Sequence, residues 1–492
     1  MSVWAQEGLG LLTTDELSKK LNYLSLLPHF VERNGKDVPL TPGVMDPGIY
    51  DGPEKYKIKI NEKLQDCLKN VMVMENKKFR HIKVALVDLT KGFDRPEFAA
   101  SFDHRQQVYV ASIAKIAPML AVHQLLQDLQ FATKQKGAKT IKALFELVHK
   151  DWADTQLEGK TTPFTAGISL RGKLVLVRGE KIKLGEPNEP KAPQLDRIFA
   201  NVPAGTPVKI EFRSTGENFG QLKTIIDDFN LKKEINELQQ ARQELAAAKT
   251  TPLRKMVERK LAEAKQKLKE AKQKKQPLAK QKLEGLGFLE RMGIMVGGSV
   301  PASNYATSTI FRDVGYLYIA STLLQSGLYD TNRKGGLWFR DPRGRIAQPW
   351  SATAGSLAAF MTLLVQERLV SPIASKRMGL LMQKVPDLTY PGTGSWFKKS
   401  LEELKNRGSL KRVLAKVGRY KGADDFAYIE REVDDGKGGK KTLHYVAVGL
   451  RAKRSSELEQ LILELDKCIL ANNDLTSVQG GHPPPRSNPL IQ

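Results

Sequence analysis

The sequence predicts an α+β fold, in which extended segments near both ends of the chain are separated by long helical stretches. Residues 81–89 alternate in hydropathy as a strand does, a turn follows at 90–92, and a second extended segment lies near 99–102. Three more extended segments follow late in the chain, at 413–419, 426–429 and 443–450. Between these two groups, the apolar stretches 116–126 and 351–364 indicate buried helices.

Helices are also predicted at the two ends of this pattern. Residues 60–74 and 457–470 have the apolar spacing of amphipathic helices. Residues 1–55 are interpreted as a short helix, capped by Thr14 and ending near Leu24, followed by a Pro/Gly-rich arm. Residues 472–492 are Pro-rich and are expected to form a disordered tail.

Composition limits the class of protein. The chain has 492 residues with 41% hydrophobic side chains, enough for a sizeable core. Its formal charge of +24 favours contact with anionic partners such as wall polymers, nucleic acid or lipid headgroups, without choosing among them. The histidines have no metal-ligand spacing and no Gly-rich phosphate loop is visible, so we expect no metal and no other cofactor.

The central motif is Ser112-Ile113-Ala114-Lys115 at the start of an apolar helix. A serine and a lysine three residues apart lie on one face of a helix. If that face is dry, burial lowers the pKa of the lysine, and its neutral amine can accept the serine proton. The N–H groups of the opening turn suit a developing oxyanion.

These residues resemble the penicillin-recognising serine hydrolases, whose motifs are Ser-x-x-Lys, Ser-Asp-Asn and Lys-Thr-Gly. The order strand, turn, strand and serine helix is similar to the opening of class A β-lactamases and D-alanyl-D-alanine peptidases. The resemblance covers roughly residues 56–128 and 286–471. It implies an antiparallel sheet flanked by the terminal helices and packed on an all-helical subdomain, with the active site between them.

The second motif is degraded. It is found at Ala302-Ser303-Asn304-Tyr305. In the resembled family this motif lies in a loop before a helix, and its asparagine holds both the lysine and the substrate. If Asn304 is that asparagine, Ala302 stands where the family has a hydroxyl. With the motif phased on Ser303, the asparagine is lost. Either phase lacks one polar group, and Ser299 and Tyr305 are candidates to replace it.

The third motif is also altered, and it lies at Lys416-Val417-Gly418. The resemblance implies that Lys416 supports an anionic group of the substrate, that Gly418 lets the substrate approach as an added strand, and that the Arg419 N–H joins that of Ser112 in an oxyanion hole. Val417 removes a hydroxyl that binds a substrate carboxylate in the family, and the Arg419 side chain is a candidate replacement.

A loop glutamate activates the deacylating water in class A enzymes. Between Tyr329 and Trp350 this chain has Asp330 and Asp341 but no glutamate. We therefore expect weak turnover of β-lactams and slow deacylation, as in penicillin-binding proteins.

Residues 129–285 are an insertion relative to the resembled family, with a predicted helix at 140–148 and predicted strands at 167–177 and 207–213. Its last part, 231–284, holds 16 Lys/Arg against 7 Asp/Glu and is composed mostly of strong helix formers. Pro252 and Pro277 are expected to break it into a projecting helical hairpin. A solvated protrusion is preferred to an arm that binds an anionic polymer, and both interpretations stay open.

Two cysteines, Cys67 and Cys468, lie in the predicted terminal helices. The resemblance implies that these helices pack together, which permits a bridge, although two free buried thiols are the preferred interpretation. The first residues lack a basic-plus-apolar signal segment and no stretch reaches 18 apolar residues. The sequence as written thus favours the cytoplasm, and the resemblance favours export with a leader removed.

Two functions remain in contention. The leading hypothesis is a serine hydrolase that forms an acyl-enzyme on a peptide, amide or ester, with catalytic residues Ser112, Lys115, Asn304 and Lys416 and binding residues Gly418, Arg419, Ser303 and Tyr305. The alternative is an inactive relative that binds a wall fragment or a protein partner through the cleft and the basic arm. Substrate and oligomeric state are not determined by the sequence.

Overall fold

The structure is a computed structural model of the chain. It describes residues 29–48, 50–51, 57–58, 60–74, 79–137, 183–184, 186–187, 232–248, 250–284, 288–297, 302–330, 335–339, 349–383, 396–419 and 422–475. The predicted helices at 14–24 and 140–148 and the predicted strands at 167–177 and 207–213 lie outside these residues.

Fifteen strands occur in the described residues, and most of them are short. The strands are β1 Phe30–Arg33, β2 Lys36–Pro39, β3 Tyr50–Asp51, β4 Lys57–Ile58, β5 Lys83–Asp88, β6 Glu97–Ala100, β7 Val108–Tyr109, β8 Lys183–Leu184, β9 Glu186–Pro187, β10 Tyr329–Asp330, β11 Gly335–Gly336, β12 Ser351–Ala352, β13 Ser409–Arg419, β14 Ala423–Asp434 and β15 Lys440–Ala452.

Eleven α-helices occur in the same described part of the chain. The helices are α1 Glu62–Met74, α2 Ile116–Lys136, α3 Lys232–Ala247, α4 Thr251–Glu284, α5 Phe288–Gly297, α6 Ala302–Val314, α7 Tyr316–Gln325, α8 Ala354–Val365, α9 Pro372–Gln383, α10 Trp396–Asn406 and α11 Ser455–Asn472.

The centre of the fold is a five-stranded antiparallel sheet in the order β13-β14-β15-β5-β6. The late strands pair first with each other, and β15 then pairs with β5, so that Tyr445 lies opposite Asp88. The α+β class and the antiparallel sheet implied by the resemblance are therefore confirmed. The strand at β5 is nevertheless buried on both faces, so its signal is an apolar run more than an alternation.

One face of the sheet is covered by the terminal helices. Leu68 of α1 and Leu461 of α11 pack against Val84, Leu86 and Tyr445 in one buried cluster. The opposite residues of the same strands, such as Ala85 and Val87, pack against the helices of the other subdomain. The predicted arrangement, a sheet with terminal helices on one side and a helical subdomain on the other, is confirmed.

The helical subdomain is organised around α8, which is apolar on nearly all sides. Thr353 caps this helix by accepting a hydrogen bond from the Ser356 N–H, and the Ser356 hydroxyl in turn accepts one from the Thr353 N–H. Leu357, Phe360 and Leu364 of α8 are buried. Such a helix is stable only inside a core, and here it packs against β5, β14 and β15 of the sheet and against α9.

The segment from His29 to Met45 corrects the prediction of an N-terminal arm. It contains the β1–β2 hairpin, and Val31 and Met45 are buried in the core of the helical subdomain. His29 Nδ1 lies 2.6 Å from Asp128 Oδ2 of α2, and His29 Nε2 lies 2.9 Å from Ser321 Oγ of α7. These buried contacts fasten the hairpin to two helices.

The predicted helical hairpin is present as α3 and α4, but Pro277 does not end it. Pro252 lies in the first turn of α4, where its missing N–H costs little. Pro277 lies inside the helix, which continues to Glu284. Because Pro277 and Gln273 are both exposed, water can satisfy the carbonyl that the proline leaves unpaired.

The C-terminal end of the fold also differs from the prediction. Asn472, Asn473 and Leu475 are buried, and the Asn472 and Asn473 amides donate to the Asp88 carboxylate. The first residues of the predicted tail therefore belong to the fold. No described helix is long and apolar enough to cross a bilayer.

The cysteines form a disulfide, which overturns the preferred interpretation of two free thiols. Cys67 of α1 and Cys468 of α11 are bridged, with their Cα atoms 5.6 Å apart and a sequence separation of 401 residues. The two helices lie side by side on the sheet, which brings together two thiols that the sequence places far apart. A bridge over such a long loop restricts the unfolded chain strongly.

We expect reduction of this disulfide to lower the free energy of unfolding by about 2–5 kcal/mol. Thermal unfolding of the wild type with and without reductant measures this, and the double variant Cys67→Ser/Cys468→Ser is the control that should not respond to reductant. Reaction of two thiols per chain with a thiol reagent, in wild-type protein unfolded in denaturant without reductant, would show that the cysteines are free.

Candidate active site

Ser112 lies on a tight turn and not on the regular α-helix that the sequence predicted. The turn is a 3₁₀-helix, Ala111–Lys115, which leads directly into α2. In a 3₁₀-helix, residues i and i+3 eclipse one another. The turn therefore stacks Ser112 and Lys115 on one side, with Ser112 half-buried and Lys115 fully buried.

The turn is held in a strained backbone conformation. Ala111 has φ +47°, in the left-handed region, which costs a residue with a Cβ about 1 kcal/mol. The Val110 N–H donates to the Trp350 carbonyl at 2.7 Å, and β7 pairs with β12 immediately before it. The surrounding structure thus forces the serine outward at the end of a short strand.

Gly418 has a role that the sequence did not predict. A Cβ on Gly418 would lie 2.2 Å from the Val110 carbonyl oxygen. Only glycine therefore lets the end of β13 approach the turn that carries Ser112. The expected role of Gly418 in admitting a substrate strand stays a prediction.

Lys115 is fully buried in the described structure. Its side chain is 0% exposed, and its Nζ donates to Ser303 Oγ at 2.7 Å and to Asn304 Oδ1 at 2.6 Å. It forms no ion pair among the described residues. Burial, and secondarily the nearby Lys416 charge, lowers the pKa of Lys115 well below its usual value.

Both Ser303 and Asn304 reach this lysine, although either phasing of the second motif predicted the loss of one polar group. They lie in the first turn of α6, and not in a loop before it. The Ser303 hydroxyl also donates to the Met295 carbonyl at 2.6 Å. Ala302 is buried, and Tyr305 is half-buried against the helical core. Ser299 lies outside the described residues.

Lys416 lies on β13 beside this cluster. Its side chain is 4% exposed, and its Nζ donates to the Val296 carbonyl at 2.8 Å. The pKa of Lys416 is lowered to about 8, mainly by burial and also by the Arg419 charge, while the Asp425 charge opposes the shift. Two amines with lowered pKa values thus lie close enough to influence each other.

The structure adds two observations on the third motif, at Val417 and at Arg419. Val417 packs with the cluster of the terminal helices, on the face of the sheet opposite to Lys416, so a hydroxyl at this position would also face those helices. The Arg419 guanidinium is bound by Asp425, with Nη2 3.0 Å from Asp425 Oδ2 and Nη1 on the other carboxylate oxygen. That fork is therefore not free to bind a substrate carboxylate.

Asp425 and the carbonyls of Met295 and Val296 were missed by the sequence analysis. Asp424-Asp425 is an acidic pair directly before the apolar run Phe426-Ala427-Tyr428-Ile429, which was a visible signal. The carbonyls had no sequence signal, because any residue carries one. Asp330 lies in β10, and Asp341 lies outside the described residues.

No group of three or more His, Cys, Asp or Glu side chains that could hold a metal ion occurs in the described part of the chain. The candidate site therefore consists of a serine, two buried lysines, a hydroxyl and an amide. This combination suits proton transfer and stabilisation of negative charge.

Comparisons with solved structures found similar chains at low sequence identity. The chain is similar to the β-lactamase from Sphaerobacter thermophilus, with 11% identity, 83% of this chain and 97% of that chain covered, and a TM-score of 0.36. A β-lactamase from Xanthomonas campestris pv. campestris has 12% identity, 83% and 98% coverage and a TM-score of 0.37.

A mutant of PBP-A in an acyl-enzyme complex with penicillin G is also similar, with 12% identity, 84% and 97% coverage and a TM-score of 0.35. No family model and no curated protein matches the sequence. These values are too low to transfer roles between residues, so the roles below are inferred from contacts within this chain.

We expect Gly418→Ala to destabilise the protein by more than ~2 kcal/mol, because the added methyl overlaps the Val110 carbonyl. Gly355→Ala in α8 is the matched control, since its Cβ would lie an ordinary 3.5 Å from His104 Cδ2. Denaturant unfolding measures both variants. Equal stability of the two variants would show that β13 does not need this close approach.

Proposed function

We propose that the protein is a serine hydrolase that forms an acyl-enzyme at Ser112 on a peptide, amide or ester substrate. The observation that carries this proposal is the fully buried Lys115, which has hydroxyl and amide partners but no carboxylate partner among the described residues. Burial lowers the pKa of this amine well below its usual value, which favours the neutral form that can act as a base.

The proposed reaction starts with transfer of the Ser112 proton to the Lys115 amine. The serine oxygen attacks the substrate carbonyl, and the N–H groups of Ser112 and Arg419 stabilise the oxyanion. The Ser303 hydroxyl, 2.7 Å from Lys115 Nζ, relays the proton to the leaving group as the acyl bond breaks. Water then attacks the acyl-enzyme and releases Ser112 and a carboxylic acid.

Substrate positioning falls to Asn304 and Lys416. Asn304 is exposed while its Oδ1 accepts from Lys115, so its amide N–H groups can face a substrate. Lys416 supplies positive charge for an anionic group when protonated, whereas Arg419 is engaged by Asp425. Gly418 and Tyr305 complete the proposed binding site. The missing loop glutamate supports slow deacylation and weak turnover of β-lactams.

Intact mass measurement after incubation with a fluorescent penicillin and a fluorophosphonate tests the nucleophile. We expect a mass gain of one probe, none for Ser112→Ala, and a labelling rate about 10²–10⁴-fold lower for Lys115→Gln, which lacks the base. Ser308→Ala, an exposed serine on α6, is the control that should label normally. No adduct on the folded wild type would refute the hydrolase.

The pH profile of kcat/KM separates the two lysines. With an anionic ester, we expect the rate to rise as Lys115 deprotonates and to fall above pH about 8, as Lys416 loses its charge. A neutral ester should lack the alkaline fall.

In Lys416→Gln the alkaline fall should disappear for the anionic ester. The acid limb should also move to higher pH, because the Lys416 charge that depresses the pKa of Lys115 is gone. If the acid limb does not move, the group whose deprotonation raises the rate is not Lys115.

A second candidate function is an inactive relative that binds a wall fragment or a protein partner through the cleft and the basic arm. One observation favours it: no hydrogen bond joins Ser112 to Lys115 among the described contacts, and the lysine is instead satisfied by Ser303 and Asn304. Absence of labelling together with specific ligand binding would select this function.

The compartment is proposed from the disulfide. Stable disulfides form in oxidising compartments, and Cys468 is fully buried, which protects the bridge from exchange. The Cys67–Cys468 bridge therefore favours a protein that folds outside the cytoplasm, in agreement with an enzyme or binding protein of the cell wall.

A further inference from the structure

The α3–α4 hairpin carries a row of three exposed lysines, Lys265, Lys269 and Lys272, on α4. Their spacings of four and three residues place them on one face of the helix. None of them forms an ion pair with the described residues. They form an unneutralised line of charge parallel to the helix axis, called the lysine row below.

The acidic residues of the hairpin are engaged elsewhere. Across the seam between the helices, three acidic residues of α3 pair with three lysines of α4: Glu244 with Lys260, Glu237 with Lys267 and Glu234 with Lys275. Along α4, Arg254 pairs with Glu258 and Arg259 with Glu263. The hairpin thus neutralises its seam and leaves the lysine row exposed, where like charges three and four apart repel.

We propose that the lysine row binds a linear phosphodiester polymer that carries no nucleobases. Phosphates strung along a flexible chain can meet successive ammonium groups, and such contacts need charge without a fixed fork geometry. Each contact also neutralises part of the repulsion within the row. The formal charge of +24 on the whole chain adds long-range attraction.

The composition of the hairpin argues against single-stranded nucleic acid. Neither α3 nor α4 contains an aromatic side chain, so bases have nothing on which to stack. The Cys67–Cys468 disulfide favours an oxidising compartment, away from intracellular nucleic acid.

The apolar residues of the hairpin argue against a membrane surface. Val257 and Ala264 of α4 are buried, which uses the apolar side of the helix within the protein. The remaining exposed apolar residues, Leu253, Met256 and Leu278, lie near the two ends of α4 and form no continuous stripe. An interfacial helix needs such a stripe.

The test uses the full-length, disulfide-bonded protein and poly(glycerol phosphate) of defined length, with affinity measured as a function of salt. The variant is Lys265→Gln/Lys269→Gln/Lys272→Gln, since glutamine keeps helix propensity while removing charge. The matched control is Lys405→Gln/Lys437→Gln/Lys453→Gln, which removes three exposed lysines outside the hairpin. Both variants change the formal charge from +24 to +21.

We expect the lysine-row variant to bind about 10–100-fold more weakly at low salt, with the slope of log K against log salt reduced by about 2. The control should bind nearly as the wild type does. Equal loss in both variants would attribute binding to net charge and overturn the proposal, as would no loss in either.

Two further arms separate the alternative partners. Single-stranded DNA with the same number of phosphates should bind no more tightly than the polymer, because the hairpin has no aromatic side chains for its bases, and tighter row-dependent binding of the DNA would overturn the proposal in favour of nucleic acid. Binding to anionic vesicles without binding to the polymer would overturn it in favour of a membrane. Labelling of Ser112 should be unchanged in both variants. Failure of the polymer-binding proposal can therefore be distinguished from failure of the proposed hydrolase activity.

Discussion

Burial of the Lys115 amine without an opposing charge is the interaction on which the candidate site depends. A charged ammonium in such a place would cost several kcal/mol, so the group is driven towards its neutral form. Its partners Ser303 and Asn304 orient the amine without restoring the charge that a carboxylate would favour. The neighbouring Lys416 increases the same tendency. The low pKa of Lys115 therefore comes from its environment and not from the lysine itself.

Three elements of the fold contribute residues to the candidate site around Lys115. The strained turn at Ala111 presents Ser112, the first turn of α6 brings Ser303 and Asn304, and β13 brings Lys416. Each element is anchored in a larger buried unit, so that no single loop has to hold the site. The close contact between Gly418 and the Val110 carbonyl joins the sheet to the serine turn.

Much of the fold was predictable, because apolar runs in β13, β14 and β15 and the helix signal of α11 are local patterns. That Ser112 and Lys115 lie in one turn, on the same side, also follows from their spacing. Other features depend on which side of an element a residue faces. Val417 faces the terminal helices because side chains alternate between the two faces of a strand. Ser303 and Asn304 both contact Lys115 because of where the first turn of the helix places them. A motif alone determines neither position.

Long-range pairings were the least accessible to sequence reasoning. The disulfide depends on the packing of α1 against α11, and the β1–β2 hairpin is fixed by a buried histidine contact to α2. Pro277 remains helical because it is exposed, and exposure was not visible in the sequence. In each case the tertiary context decided the outcome.

The pairing of β5 with β15 also has a consequence for synthesis of the protein. The sheet joins a strand near the beginning of the chain to one near its end, a topology of high contact order. A nascent chain carries Ser112 and Lys115 long before Lys416 and β15 have been made. The two parts of the sheet can join only after β15 has been made. Assembly of the surroundings of Ser112 is therefore tied to synthesis of this late strand.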